Sequence, residues 1–188
     1  LDTIGIMSRT VDDCSIVLRA TAKRDALDST SAQFPTKSLD GTLPRDLRGK
    51  RIALVREVME LDISEGQRIA HSRAANVLRE LGAEVSEVSI PSLPASYAVY
   101  YAISSAEASS NLARFDGVRY GMRTEGMESL EELYVKSRSL GFGEEVKRRM
   151  TFGALILGGD YKKDIYENAL RMRARINSEL ADAFGKVD

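Results

Sequence analysis

The sequence predicts an α/β fold whose second half is largely helical. Three observations carry that prediction. Two short apolar runs stand at residues 51–56 (RIALVR) and 84–90 (EVSEVSI), an amphipathic helical pattern lies between them, and helical periodicity dominates after Pro94.

Taken in order, Thr10-Val-Asp-Asp13 reads as a helix start, with Thr10 placed to cap the first amides and Asp13 to bond back. Val11, Cys14, Val17, Leu18 and Ala22 follow on one face, so a helix is expected to about Lys23 with that face buried. Residues 24–50 break the pattern with a Ser-Thr-Ser run, Pro35, Gly41, Pro44 and Gly49, and read as a long surface connection. Residues 51–56 suit a buried strand. Ser64-Glu-Gly-Gln67 can form a capping box, Ala70, Ala74, Val77, Leu78 and Leu81 make an apolar stripe, and Gly82 is placed to end the helix. Residues 84–90 supply a second strand, stopped by Pro91. A strand, a long helix and a strand imply a crossover, hence parallel strands joined right-handedly.

After Pro94 the expected helices are residues 96–114, 129–140, 144–157 and a last stripe through Ile165, Ala169, Met172, Ile176, Leu180 and Ala183. The organisation expected is therefore an α/β portion over residues 1–94, with its β-α-β unit at 51–90, and a helical lobe over residues 95–188. The chain opens on Leu1 with residues that read as structure already in progress, so it is expected to be an interior piece of a longer protein.

Composition excludes several classes of function. The 188 residues are 43% hydrophobic, enough for a real core, and 27 Lys plus Arg against 28 Asp plus Glu leave a net charge of −1. That balance offers no bulk attraction to a phosphate backbone or anionic lipid. No apolar run approaches a membrane span, which takes roughly 18 residues. The lone Cys14 forbids an internal disulfide and fits a reducing cytoplasm, the expected compartment.

Familiar catalytic constellations are absent from the sequence. His71 is the only histidine, which rules out a multi-histidine metal site, and its place beside the apolar stripe suits a solvated helix face. Cys14 reads as a small buried hydrophobe. Gly153 and Gly158-Gly159 lack the Lys-Ser/Thr ending of a phosphate loop. No metal ligand and no catalytic residue is assigned. The unusual segment is residues 100–121 (YYAISSAEASSNLARFDGVRYG), where Ser and Asn crowd a helical stretch although they compete for backbone hydrogen bonds. Two readings stay open for it: close packing of one helix on another through small residues, or the wall of a polar pocket.

This segment resembles the amidase signature family, in the branch formed by the glutaminase subunits of tRNA-dependent amidotransferases. The resemblance extends in order through residues 1–5 (LDTIG), 9–13 (RTVDD), 28–31 (DSTS), 47–50 (LRGK), 81–85 (LGAEV), 129–134 (SLEELY), 141–149 (GFGEEVKRR) and the final helix, so it covers nearly the whole chain. It implies part of a mixed β-sheet flanked by helices. It also implies a parent enzyme in which a Ser–cis-Ser–Lys triad attacks the glutamine side-chain amide, releases ammonia and forms a glutamyl-enzyme that water clears. The family places that triad upstream of the segment matched here, so none of it carries over, and this chain alone is expected to be inactive. Two substrate contacts do carry over. A tyrosine opening the small-residue helix matches Tyr100, with Tyr101 as the neighbouring alternative, and an arginine matches Arg149, with Arg148 as its alternative. A guanidinium fork suits an α-carboxylate.

The resemblance further implies amidotransferase subunits B and C as partners. It puts ATP, Mg²⁺ and most tRNA contact at the kinase-like B subunit, with no cofactor in this chain. Two other readings remain at this stage: another amidase-signature hydrolase of small amides, and a non-enzymatic interaction module. An interior piece is also expected to expose an apolar patch and to self-associate through it.

Overall fold

The structure, a computed structural model, describes residues 4–33, 46–159 and 161–188. The chain divides into two compact units, one ending at Asp46 and the other spanning Leu47–Asp188.

In the first unit, helix α1 (Val11–Thr21) starts where Thr10 accepts the amide of Asp13 on its side-chain oxygen at 3.1 Å. Its apolar face was expected to be buried, and it is not: α1 has no buried residue, with Val11 72% and Val17 42% exposed. The reason is that no described element of this unit packs over that face. Cys14 is likewise half-buried rather than enclosed, its Sγ lying 2.9 Å from the hydroxyl of Ser8. In the expected connection, Asp28 accepts both the amide and the hydroxyl of Thr30, while residues 34–45 lie outside the described residues.

The second unit opens with the β-α-β arrangement. Strand β1 (Arg51–Val55) pairs in parallel with β2 (Glu84–Val88), in a register running from Arg51 opposite Glu84 to Val55 opposite Val88. Between them stand a five-residue helix, α2 (Arg56–Glu60), and the long α3 (Glu65–Glu80). The capping box forms as the spacing requires, Ser64 accepting the amide of Gln67 and Gln67 accepting the amide of Ser64. Gly82 adopts φ +94° to turn the chain into β2, and a Cβ there would run into the side chain of Arg48. Two expectations need correction. The run at residues 51–56 was expected to be a buried strand, but β1 ends at Val55 and is only half-buried, and of the α3 stripe Ala70, Ala74, Val77 and Leu81 are exposed. The cause is common to both: among the described residues the sheet is two strands wide, too narrow to cover a helix of 16 residues. What it does cover is Ala75, with Leu78 half-buried beside it. On the other side of β1, the Asp188 amide donates to the Arg51 carbonyl at 2.8 Å and its carboxylate accepts the Arg51 amide at 3.0 Å.

The helical lobe contains α4 (Ser96–Asn111), α5 (Leu130–Gly141), α6 (Glu144–Leu157) and α7 (Asn168–Phe184), the last entered through a π-helical turn at Lys162–Glu167. Its core joins Ala102, Ile103 and Ala106 of α4 to Ile156 of α6 and Ala169 of α7, flanked by Phe152, Ile165 and Leu170. The crowd of small residues in α4 serves close packing: Ala102 to Ala106 are all buried. At Gly153 of α6 the two helices touch through backbone, since an added Cβ would collide with the Ser105 carbonyl and lie 2.8 Å from the Ser109 Cβ. The Ser105 hydroxyl is fully buried there, without a hydrogen-bond partner among the described residues. Among the described residues no helix is long and apolar enough to cross a membrane, and no cluster of three or more His, Cys, Asp or Glu could hold a metal.

Candidate functional site

The residues singled out from sequence come together at one end of the α4–α6 crossing. Tyr100 and Tyr101 sit in the second turn of α4, and Arg149 in the second turn of α6. Nη1 of Arg149 donates to the Tyr100 hydroxyl at 3.2 Å, and its guanidinium carbon lies 5.5 Å from the Tyr101 ring centre and 6.0 Å from that of Tyr100. Tyr101 is held in turn by Phe152, ring centres 5.4 Å apart, and by Tyr97 at 6.3 Å. The adjacent tyrosines thus differ in what they offer: Tyr100 a hydroxyl to the cation, Tyr101 a ring face supported from below. Arg148 instead pairs with Glu145, Nη1 to Oε2 at 2.9 Å, and its side chain is 70% exposed against 32% for Arg149.

Electrostatics follow from these contacts. The hydrogen bond and charge of Arg149 hold the Tyr100 phenol below the ordinary tyrosine range. The bonds to Tyr100 and then to Glu145 push the guanidinium further towards its charged form. Glu145 takes Nε of Arg149 at 3.0 Å and Tyr100 takes Nη1, leaving Nη2 without a partner among the described residues. A planar cation beside two aromatic rings, with three of its five N–H groups uncommitted among the described residues, can receive one carboxylate or amide oxygen.

Two carboxylates that sequence reading missed fix the approach to α4. Glu57, from α2 and only 8% exposed, accepts the Ser89 hydroxyl and, at 2.8 Å, the Ile90 amide. Glu179, from α7, accepts the Ser92 hydroxyl at 2.8 Å and the Ser92 amide at 2.9 Å, and is backed by Arg175. Together they grip residues 89–92, the connector between β2 and the turn that starts α4. Backbone and hydroxyl donors lower both acids below the usual carboxylate range, in Glu57 from Ile90 first and in Glu179 from Ser92 first. For Glu145 a sequence signal existed, since Glu at i and Arg at i+4 on a helix face pair readily. Glu57 gave none, because its partners lie 32 and 33 residues away.

The chain is similar to known proteins along its full length. The sequence profile of the amidase family matches residues 1–188. The A subunit of the glutamyl-tRNA(Gln) amidotransferase from Caldanaerobacter subterraneus is 42% identical over 188 residues, and that from Roseiflexus castenholzii is 44% identical. All of this chain is covered in both, but only 38% of each relative, so the chain spans about two fifths of the length of these curated proteins. Among solved structures, the Thermotoga maritima glutamyl-tRNA(Gln) amidotransferase, represented by its A subunit, superimposes with a TM-score of 0.67 at 30% identity, covering 99% of this chain and 35% of that one. The peptide amidase PAM, solved with the competitive inhibitor chymostatin, gives 0.62 at 26% identity, covering 99% and 39%. With the small-residue helix, the crossing at Gly153 and the tyrosine–arginine cluster all inside a match that runs from end to end, the chain belongs to the amidase family.

Proposed function

We propose that this chain is part of the glutamine-hydrolysing subunit of a tRNA-dependent amidotransferase, a carbon–nitrogen ligase that takes ammonia from glutamine. In this reading the Arg149 fork receives the α-carboxylate of glutamine, and Tyr100 and Tyr101 form the adjoining wall. The nucleophile and its Ser–cis-Ser–Lys triad belong to the rest of the parent protein, so this piece alone is without activity. The observation that carries the reading is the Tyr100–Arg149 pair: two residues expected at a glutamine site from sequence stand 3.2 Å apart with an open guanidinium edge beside them. The names of the relatives at 42% and 44% identity support the choice of glutamine and of a tRNA-linked reaction.

The same reading assigns ATP, Mg²⁺ and most of the tRNA contact to a B subunit, includes a small C subunit, and puts the assembly in the cytoplasm. The near-neutral charge of this chain agrees with tRNA being held elsewhere. The test is Arg149→Ala in the full-length parent, assayed for glutaminase activity with its partner subunits. Losing a charge-assisted, two-bond contact should raise KM for glutamine about tenfold or more. An unchanged KM would remove Arg149 from the site. Hydrolysis of peptide amides without any glutaminase activity would instead favour a small-amide hydrolase, the activity named for the peptide amidase neighbour.

A further inference from the structure

We propose that Glu145 is the specificity-determining residue of this site, an internal counter-ion that limits Arg149 to one carboxylate and selects ligands by their charge. The inference rests on the glutamine-binding reading above and goes beyond it.

A guanidinium has five N–H groups and two edges that can meet a carboxylate side by side: the Nε edge and the outer edge formed by the two terminal nitrogens. In Arg149 the first edge is closed, because Glu145 Oε1 accepts Nε at 3.0 Å. One hydrogen of Nη1 goes to Tyr100 at 3.2 Å. The remaining hydrogen of Nη1 and both of Nη2 have no partner among the described residues, enough to bond a single carboxylate. Glu145 is kept in place from its other side, where Oε2 receives Nη1 of Arg148 at 2.9 Å. Two arginines and one glutamate leave one net positive charge in the group.

A ligand anion on the outer edge therefore sits across one guanidinium from a fixed carboxylate, well inside a Debye length, and feels both. Arginine attracts the first carboxylate, and Glu145 weakens the binding of that carboxylate and of any further anionic group the ligand carries. Glutamine and glutamate differ by one such charge, the group that amide hydrolysis creates. Glu145 thereby favours the amide-bearing substrate over the acid product and assists product departure.

The experiment is equilibrium binding of L-glutamine and of L-glutamate to the full-length parent, compared with Glu145→Gln, Glu145→Asp, Arg148→Ala and Arg149→Ala. In Glu145→Gln both ligands should bind more tightly, glutamate more so, and the glutamine-to-glutamate affinity ratio should fall about three- to tenfold. Glu145→Asp, which keeps the charge, should hold the ratio near its original value, and Arg148→Ala, which leaves Glu145 less neutralised, should raise it. Glu145 is half exposed in the first turn of α6, so these changes leave the core untouched. If Arg149→Ala weakens binding while Glu145→Gln and Arg148→Ala both leave the ratio unchanged, the proposal is overturned and the glutamine reading survives. If Arg149→Ala leaves binding intact, the reading itself fails and takes this proposal with it.

Discussion

The Tyr100 hydroxyl accepts a 3.2 Å hydrogen bond from Arg149, joining residues 49 positions apart on two helices. That bond distinguishes the two tyrosines, which sequence alone leaves as alternatives. Tyr100→Phe removes the acceptor and keeps the ring, whereas Tyr101→Phe keeps the face that Arg149 and Phe152 use. Steady-state kinetics of the parent should show KM for glutamine rising about three- to tenfold in Tyr100→Phe and little change in Tyr101→Phe. Equal effects would mean that the 3.2 Å bond plays no part in binding.

The same contact sets a titration. Arg149 favours the ionised phenol, so Tyr100 loses its proton at lower pH than an ordinary tyrosine. Its tie to Arg149 is strongest above the unperturbed tyrosine value, about 10, and weakens as pH falls through the lowered value. Absorbance near 295 nm should show one early-titrating tyrosine, and Arg149→Met should return it to the ordinary range.

At the acid end the connector at residues 89–92 should loosen. Glu57 and Glu179 both have lowered values, so their contribution is fully present above the unperturbed carboxylate value, about 4.5, and is lost as pH falls through the lowered ones. Glu57→Gln and Glu179→Gln should each flatten the acid limb of a stability–pH curve measured by denaturant unfolding. An acid limb identical to that of the unsubstituted chain would place the acid sensitivity elsewhere.

The crossing of α4 and α6 makes opposite predictions for its two sides. Gly153→Ala forces backbone apart and should destabilise by about 3 kcal/mol or more. Ser105→Ala deletes a buried hydroxyl that has no partner among the described residues, and should be neutral or stabilising by up to about 1 kcal/mol. Denaturant midpoints of the two variants decide both.

Much of the fold was legible because it is local. The Ser64–Gln67 box, the strands at residues 51 and 84 and the helix over Glu144–Leu157 are written in spacing, and the structure has them there. What escaped depends on distant partners. The helix α2 hides behind the apolar run that precedes it, and Glu57 within it is buried only because Ser89 and Ile90 return to meet it. The α1 and α3 stripes had the right period, yet period reports a face meant for burial and not what covers it. Of the candidate site, Tyr100, Tyr101 and Arg149 came from resemblance, and their proximity from structure. The role proposed for Glu145 rests on the orientation of a single guanidinium.

Those open faces should show in solution. Ile69, Val77 and Leu81 are all at least 40% exposed, as are Leu140 and Leu155 in the helical lobe. Sedimentation velocity over a concentration series should find the isolated chain associating with itself. A sharp monomer at every concentration would mean these side chains are tolerated in water.

The contact at Gly153 also fixes the spacing of α4 and α6 beneath the tyrosine–arginine cluster. Tyr101 lies one turn before Ser105 on α4, and Arg149 one turn before Gly153 on α6, so the space between them is spanned by two helices that touch through main chain. Main-chain atoms have no rotamers with which to yield. The spacing of the two helix backbones behind the cluster is therefore set by a rigid frame, and rotamer changes in Tyr101 or Arg149 cannot alter it. Changing it takes a substitution at the crossing, about 6 Å along the helix from Tyr101 and Arg149.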